Sequence, residues 1–126
     1  MMVSALAHPV ELSPQPAMAR HELAQLLDTA GWDGDVDGVI LAVHEAMVNA
    51  QRHGGGVTHA TAGFDGPALV VEVANRGRGF RIPKSPDVAD VSAERGRGLF
   101  LIRQLAADVR VQHEGDDVRL ILRFCR

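Results

Sequence analysis

Cysteine is almost absent from this chain, since Cys125 is the only one in 126 residues. One thiol excludes a framework of intramolecular disulfides, and no cysteine and histidine spacing is present that would build a structural zinc site. A single free thiol in a small domain is typical of a reducing compartment. We therefore expect a cytoplasmic protein that is stabilised by packing alone.

Strong charge and long apolar runs are missing as well. The formal net charge is −3 at pH 7, so the chain lacks the basic surface that nucleic-acid-binding domains usually carry. The N-terminal stretch MMVSALAHPV has no basic segment of the signal-peptide type, and no stretch is apolar enough for a membrane span. We predict no direct contact with nucleic acid and no membrane association. With 46% apolar residues, the chain suits one domain, 1–126, that buries a real core.

The apolar periodicity and the turn residues predict the element order β-α-α-β-β-loop-α-β-β. After residues 1–8, expected to be flexible, the predicted segments are an edge strand at 8–14, a helix from Pro16 that stops at Gly31, a helix from about Asp37 to His53, strands at 57–64 and 68–75, a loop at 76–97, a helix at 98–109 and a hairpin from 108 that turns at 114–117. Because short turns join neighbouring strands, the sheet should be mixed or antiparallel, and mostly antiparallel. With the helices on one face, the fold class is α/β (α+β), a two-layer sandwich with about five strands.

The stretch LAVHEAMVNAQRHGGG, residues 41–56, carries the most informative polar residues. On a helix with about 100° per residue, one side is apolar, and Glu45 and Asn49 fall on the other side beside Leu41 and Val48. A solvated helical face is the ordinary explanation of such a pattern. A pocket wall fits too, because pockets are mostly apolar with a few convergent polar groups. The residues alone leave both interpretations open.

Three common site motifs are absent. HEAMV, residues 44–48, begins like the zinc-protease pattern HExxH but has Val48 where the second histidine is needed. GRGLFL, residues 96–101, begins like a dinucleotide fingerprint but has Leu101 where the third glycine is needed. No GxxxxGK[ST] phosphate loop occurs in the chain. A zinc protease and a classical mononucleotide or nicotinamide site are therefore disfavoured.

Two glycine pairs flank the long predicted loop. Gly77 and Gly79 follow a strand in NRGRGF, and Gly96 and Gly98 precede a helix in RGRGLF. Glycine lets the backbone approach a ligand closely, and the free amides at the start of a helix attract anions. Each pair alone is weak evidence for a site, because glycine pairs are common and an ordinary turn or helix start explains them.

The order of these features resembles the GHKL ATPases, the superfamily that includes the histidine kinases and the gyrase-like ATP-binding domains. The shared elements are ExxxN on a helix, a glycine pair after a strand, and GxG at the start of a helix. LAVHEAMVNAQRHG and ERGRGLFLIRQLAADV are most similar to the bacterial anti-sigma factor serine/threonine kinases. The resemblance spans residues 9–125 and implies the histidine kinase-like ATPase fold, with ATP and Mg²⁺ as cofactors.

The resemblance also implies a role for each polar position. Glu45 would be the general base for the attacking hydroxyl, and Asn49, one helical turn later, would ligate Mg²⁺ through its side-chain oxygen. Residues 80–95 would form a lid over the nucleotide. Arg20 on the first helix resembles an arginine that contacts phosphate or a bound partner. The other implied nucleotide contacts fall into two groups. The first group precedes or begins the predicted lid and includes the contacts near the adenine: Arg52, His53, Asn75, Gly77, Gly79 and Phe80. The second group surrounds the phosphates: Arg95, Gly96, Arg97, Gly98 and Leu99.

Asn75 departs from the family pattern, which normally reads DxGxG where this chain has NRGRG. The family's aspartate accepts a hydrogen bond from the adenine 6-amino group. The amide oxygen of Asn75 can accept the same bond without charge assistance, at a cost of about 1 kcal/mol, or roughly fivefold to tenfold in affinity. We therefore expect weaker nucleotide binding than the family pattern gives.

The resemblance implies an ATP-dependent serine/threonine protein kinase that phosphorylates an anti-sigma factor antagonist and sequesters a sigma factor. A second interpretation keeps the fold and the nucleotide without catalysis, so that the protein regulates transcription by sequestration alone, and Asn75 favours it. A third, a histidine-kinase catalytic domain cut from a longer chain, is disfavoured because the chain looks complete and no phosphoacceptor helix precedes residue 9. The family also implies a homodimer, although the sequence shows no obvious dimer surface.

Overall fold

A computed structural model describes residues 7–53, 55–76 and 94–126 of the chain. Within these ranges the elements are β1 Ala7–Glu11, α1 Pro16–Ala30, α2 Val36–His53, β2 Val57–Asp65, β3 Ala68–Asn75, α3 Glu94–Leu105, β4 Asp108–Glu114 and β5 Asp117–Phe124. The predicted order of helices and strands is confirmed. β1 begins at Ala7, inside the segment 1–8 for which the sequence predicts flexibility.

The strands form one sheet with the spatial order β1-β2-β3-β5-β4. β2 with β3 and β4 with β5 are hairpins, and β3 pairs with β5, so the two hairpins meet in the middle of the sheet. Every strand pair in the described ranges is antiparallel. Of the two sheet types that the sequence leaves open, the structure therefore has the antiparallel one.

The helices cover one face of the sheet and leave the other face open. On the covered face, Val71 of β3 is paired with Leu122 of β5, and both belong to the hydrophobic core. On the open face, Nε of Arg119 lies 3.5 Å from Oε1 of Glu72. The alternation predicted for β5 is confirmed, since the following four side chains are all buried: Val118, Leu120, Leu122 and Phe124. This is the predicted two-layer arrangement.

α2 is the longest described helix, and it lies against α1, α3 and the sheet. It contributes Val39, Val43 and Met47 to the core, each at most 2% exposed. The side chain of Asp35 caps its first turn, because Oδ1 accepts a hydrogen bond from the N–H of Gly38 at 3.0 Å. None of the helices in the described ranges combines the length and the apolar character needed to cross a membrane.

Gly31 ends α1, as the sequence predicts. Its φ is +66°, a left-handed conformation, and its N–H donates to the carbonyl oxygen of Asp28 at 3.1 Å. This is the usual geometry of a glycine that follows a helix, because a β-carbon there would be strained. The turn after Gly31 reverses the chain so that α2 can pack beside α1.

α3 differs from its predicted bounds at both ends. The sequence predicts a helix over 98–109, whereas the helix runs from Glu94 to Leu105. Gly96 and Gly98 therefore lie inside the first turns of α3 and not before it. Glycine has a low helix propensity, so two glycines look like a boundary when only the local sequence is considered. The other end comes early because Asp108 begins β4 and pairs with β5.

Candidate functional site

α2 buries more of its circumference than its amphipathic pattern predicts. The pattern places Asn49 on the side opposite the core, but the residue is only 4% exposed. Ala42, on the same flank of the helix, is completely buried. A pattern with one apolar side predicts one covered side, whereas α2 is covered by the sheet and by helices on both flanks. Of the two interpretations that the sequence leaves open, a solvated face is therefore excluded for Asn49.

The flank of α2 that carries Asn49 is turned toward α3. Gly38 lies on this flank, and a β-carbon added to it would come 3.3 Å from Cδ2 of Leu105. Gly38, Ala42, Glu45 and Asn49 follow one another at spacings of four, three and four residues, which places them along one side of a helix. Glu45 is half-buried. Glu45 and Asn49 thus share the side of α2 that is turned to α3.

The C-terminal end of α2 lies beside the end of β3. Val57, which begins β2 just after α2, is paired with Asn75. A β-carbon added to Gly55 would be 3.3 Å from the backbone oxygen of Arg76, and Gly55 has a φ of +75°. Only glycine allows this backbone conformation and this close approach together. The last turns of α2 and the last residue of β3 therefore lie at the same end of the molecule.

α3 runs in the direction opposite to α2. Its last residue, Leu105, lies close to Gly38 at the start of α2. Just beyond α3, the N–H of Ala107 donates to the carbonyl oxygen of Arg123 at 2.8 Å, at the end of the sheet far from Asn75. Because α3 packs along α2, its first turn points toward the end of the molecule that carries Asn49 and Asn75.

Two buried carboxamides mark this end of the molecule. Asn49 and Asn75, 4% and 2% exposed, are the only buried polar or charged side chains in the described part of the chain. Asn75 is in register with the core residue Val118, so its side chain is on the helix-covered face. Nδ2 of Asn49 and Oδ1 of Asn75 are buried without a hydrogen-bond partner among the described residues. Such groups are nearly always paired, and each unpaired one costs about 1–3 kcal/mol. An unpaired donor and an unpaired acceptor, both at this end of the described structure, indicate a site for a polar ligand.

Two other buried nitrogens have no partner in the described ranges, but they lie elsewhere. Nε1 of Trp32 belongs to the turn before α2, at the end of that helix away from Asn49. Nδ1 of His44 is on α2, roughly 140° around the helix from Asn49. Neither one contributes to the flank that faces α3.

The other predicted nucleotide contacts fall into three groups. Arg20 on α1 and Arg52 near the end of α2 are exposed, and His53 is the last residue of α2. The first turns of α3 contain Arg95, Gly96, Arg97 and Gly98, followed by Leu99, which is 8% exposed. Gly77, Gly79 and Phe80, with residues 80–93 of the predicted lid, lie outside the described residues.

The early start of α3 changes which of its amides are free. The first amides of an α-helix have no partner within the helix. In α3 these amides belong to residues 94–96, whereas the sequence predicts free amides around Leu99. The anion site stays a prediction, and its position moves by one turn toward the N-terminus.

The fold and the buried polar residues together define a class of protein: a two-layer α/β domain with two buried carboxamides at one end of its antiparallel sheet. Residues 9–124 match the family described as the histidine kinase-like ATPase domain. Because the match spans nearly the whole chain, this protein belongs to that family, and its domain type implies a site for ATP.

One solved structure has the same fold. The crystal structure of the RsbU and RsbW domains of Rv1364c from Mycobacterium tuberculosis is similar to this chain with a TM-score of 0.68 at 20% sequence identity. The similarity covers 94% of this chain and 32% of that one, so this chain spans about a third of that protein's length. At this identity the comparison establishes the fold. No curated protein matches the chain.

Proposed function

We propose that this protein binds ATP with Mg²⁺ and transfers the terminal phosphoryl group to a serine or threonine of an anti-sigma factor antagonist, and that it also sequesters a sigma factor. The buried pair Asn49 and Asn75 is the observation that supports nucleotide binding most directly, because each keeps a polar atom without a partner among the described residues. The partners rest on the resemblance of the sequences around Glu45 and Leu99 to the anti-sigma factor kinases. The homodimer stays a prediction.

The donor set at this end of the molecule fits a nucleotide-bound Mg²⁺. In the described part of the chain, no group of three or more His, Cys, Asp or Glu side chains is arranged to hold a metal by itself. Mg²⁺ usually keeps several waters and takes one or two protein oxygens in addition to substrate phosphates. The side-chain oxygen of Asn49 is an oxygen ligand of the required hardness. When bound, the ion would neutralise part of the phosphate charge that develops during transfer.

The position of Glu45 on α2 supports a role as general base. It lies one helical turn from Asn49 on the same side of α2, so its carboxylate and the amide can reach neighbouring points of one substrate. Being half-buried, it remains accessible to a hydroxyl group on another protein. The carboxylate would accept the proton of the serine or threonine hydroxyl while that oxygen bonds to the γ-phosphorus. The bond between this phosphorus and the bridging oxygen of ATP would break in the same step, and ADP would leave. The free amides in the first turn of α3 would hold the phosphate oxygens.

A second candidate function is partner binding without phosphoryl transfer. Asn75 supports it, because a neutral amide replaces the aspartate that contacts adenine in the family pattern. The change would weaken the contact to the nucleotide. In this case the protein would sequester its partner and would retain the nucleotide only as a structural ligand.

Labelled Mg-ATP, a candidate antagonist and a candidate sigma factor distinguish these functions. For a kinase, we expect transfer to the antagonist by the native protein and a loss of about 10²–10⁴-fold in Glu45→Gln. The Mg-ATP-dependent rise in melting temperature should be the same in both proteins. Glu72→Gln, a half-buried carboxylate on the open sheet face, is the matched control and should transfer normally. Sigma-factor binding without any transfer supports the second function, and the absence of any thermal shift with Mg-ATP contradicts the nucleotide site itself.

A further inference from the structure

The edge strand β1 and helix α1 border a groove at the side of the sheet opposite to β4 and α3. β1 is the first strand in the sheet order, so no strand of the described ranges pairs with its outer side. The groove has a volume of about 420 Å³, and Val10 and Leu26 are among its lining residues. Val10 is in register with the fully buried Ala62, yet 40% of Val10 is exposed. α1 therefore leaves a strip of apolar surface uncovered along this edge.

The outer side of β1 has backbone groups directed away from the sheet at Glu11. The N–H of Leu12 donates to the carbonyl oxygen of Ala60 at 2.9 Å, so Leu12 is a bonded position of the pair β1 and β2. Bonded positions alternate along an antiparallel pair. The neighbouring Glu11 therefore directs its N–H and its carbonyl oxygen away from β2, where an added strand can exchange two hydrogen bonds with it.

The residues on either side of Glu11 restrict how far an added strand can pair. The next N–H that points outward belongs to Ser13, and it already donates to Oε1 of Glu22 at 2.7 Å. On the other side, Pro9 has no N–H to donate. Strand edges with few free donors do not support extended edge-to-edge pairing. This edge therefore suits a short segment whose side chains supply much of the affinity.

The charge around the groove is negative. Glu11 and Glu22 line it, and none of the described lining residues is basic. The side chain of Glu11 is 81% exposed, and Nδ1 of His59, 3.8 Å from its Oε1, is beyond hydrogen-bonding distance. A second copy of this chain paired at Glu11 would set two such carboxylates directly opposite each other, which is unfavourable. A segment with basic side chains complements the groove instead.

We infer that the groove between β1 and α1 binds an extended segment of a partner protein in which two basic residues precede an aliphatic one. In an antiparallel pairing with β1, the second basic residue lies opposite Glu11, and the two exchange both backbone hydrogen bonds and form an ion pair on the same face. The first basic residue then lies on the helix side, toward Glu22, and the aliphatic residue covers Val10 beside Leu26. This surface is separate from the proposed nucleotide site, so the inference does not depend on that site.

The test is a titration of a fluorescently labelled peptide, with arginine, lysine and valine at its centre and threonines on both sides, against the full chain without nucleotide. Fluorescence anisotropy should report saturable binding that weakens as salt is added. Glutamates in place of both basic residues should weaken binding by at least about tenfold. Methylation of the lysine backbone nitrogen removes a bond to Glu11 and should weaken binding by about fivefold or more. Methylation of the valine nitrogen, which points away from β1, should weaken it by less than about twofold.

Variants of the chain locate the binding surface. Glu11→Gln and Glu22→Gln should each weaken peptide binding by about twofold to fivefold, and the second keeps an oxygen that can accept from the N–H of Ser13. Glu114→Gln is the matched control, because it makes the same change at an exposed position of β4, the other edge strand, and it should bind the peptide normally.

Three results would overturn the inference. The first is the absence of saturable peptide binding to the native chain, which does not depend on the folding of any variant. The second is equal binding of the two methylated peptides, because the contact would then be electrostatic without strand pairing. The third is a native dimer in sedimentation velocity that Val10→Asp dissociates, together with no peptide binding, because the groove would then belong to a second copy.

Discussion

Replacing Asn49 by leucine should stabilise the ligand-free protein and abolish most of its response to nucleotide. Leucine has the same number of side-chain heavy atoms as asparagine and branches at the same carbon, so we expect the buried position to accept it with a packing cost of about 1.5 kcal/mol or less. The substitution removes a buried Nδ2 that has no partner in the described part of the chain, which relieves about 1–3 kcal/mol. We expect a net gain of about 1 kcal/mol.

For a domain of 126 residues, a gain of 1 kcal/mol corresponds to a rise of about 3–5 °C in the melting temperature. In the native protein, Mg-ATP at 100 times its dissociation constant should add about 2.7 kcal/mol, or roughly 10 °C. Asn49→Leu should lose at least half of that ligand-dependent shift. The variant should therefore be more stable than the native protein without ligand and should respond less to Mg-ATP. We expect both changes together when a buried polar group serves to bind a ligand.

Thermal unfolding followed by circular dichroism, with and without Mg-ATP, measures both effects. Met47→Leu is the matched control, because it introduces the same residue at a completely buried position of the same helix. It should change the stability by less than about 1.5 kcal/mol and leave the nucleotide shift intact. If ligand-free Asn49→Leu melts several degrees below the native protein, Asn49 is a structural residue and the reasoning is refuted. A full nucleotide shift in the variant refutes the assignment of Asn49 to the site.

Two further variants test how the fold positions the site. Gly38→Ala should destabilise the protein and reduce the nucleotide shift, because the added methyl group meets the carboxylate of Asp35 and Cδ2 of Leu105. This effect should outweigh the helix propensity of alanine, which favours it over glycine by up to about 1 kcal/mol. A more stable Gly38→Ala contradicts the close packing of α2 on α3. Gly31→Ala should lower the stability by about 1–2 kcal/mol without changing the nucleotide shift, because alanine is strained at a φ of +66°; urea unfolding measures the loss, and an unchanged midpoint contradicts the left-handed geometry.

Features that depend on neighbouring residues were predictable from the sequence. β3 occupies 68–75, as its run of β-branched residues predicts, and Gly31 ends α1 where a glycine follows the apolar periodicity. The family membership was predictable as well, because ExxxN and the two glycine pairs lie in a fixed order along the chain. Each of these signals is contained in a short segment or in the spacing between such segments.

Features that depend on distant residues were not predictable. The burial of Asn49 requires α3 and the sheet to cover a flank of α2 for which the sequence leaves both a solvated face and a pocket wall open. The start of α3 at Glu94 overrides the local tendency of Gly96 and Gly98 to end a helix. Propensity is a weak local term, and packing against a neighbouring element can outweigh it.

The sequence by itself determined the types of the elements, their order and the family, because these are encoded in periodicity and in the spacing of the motifs. Tertiary structure alone decided that Asn49 and Asn75, which lie far apart along the chain, are both buried at one end of the molecule. Within the described ranges, Nδ2 of Asn49 and Oδ1 of Asn75 have no hydrogen-bond partner. That outcome depends on the antiparallel packing of α3 against α2 and on the close approach of Gly55 to Arg76, and both are contacts between separate elements. A buried polar residue is available to a ligand when such contacts remove it from water and leave one of its hydrogen-bonding atoms unpaired.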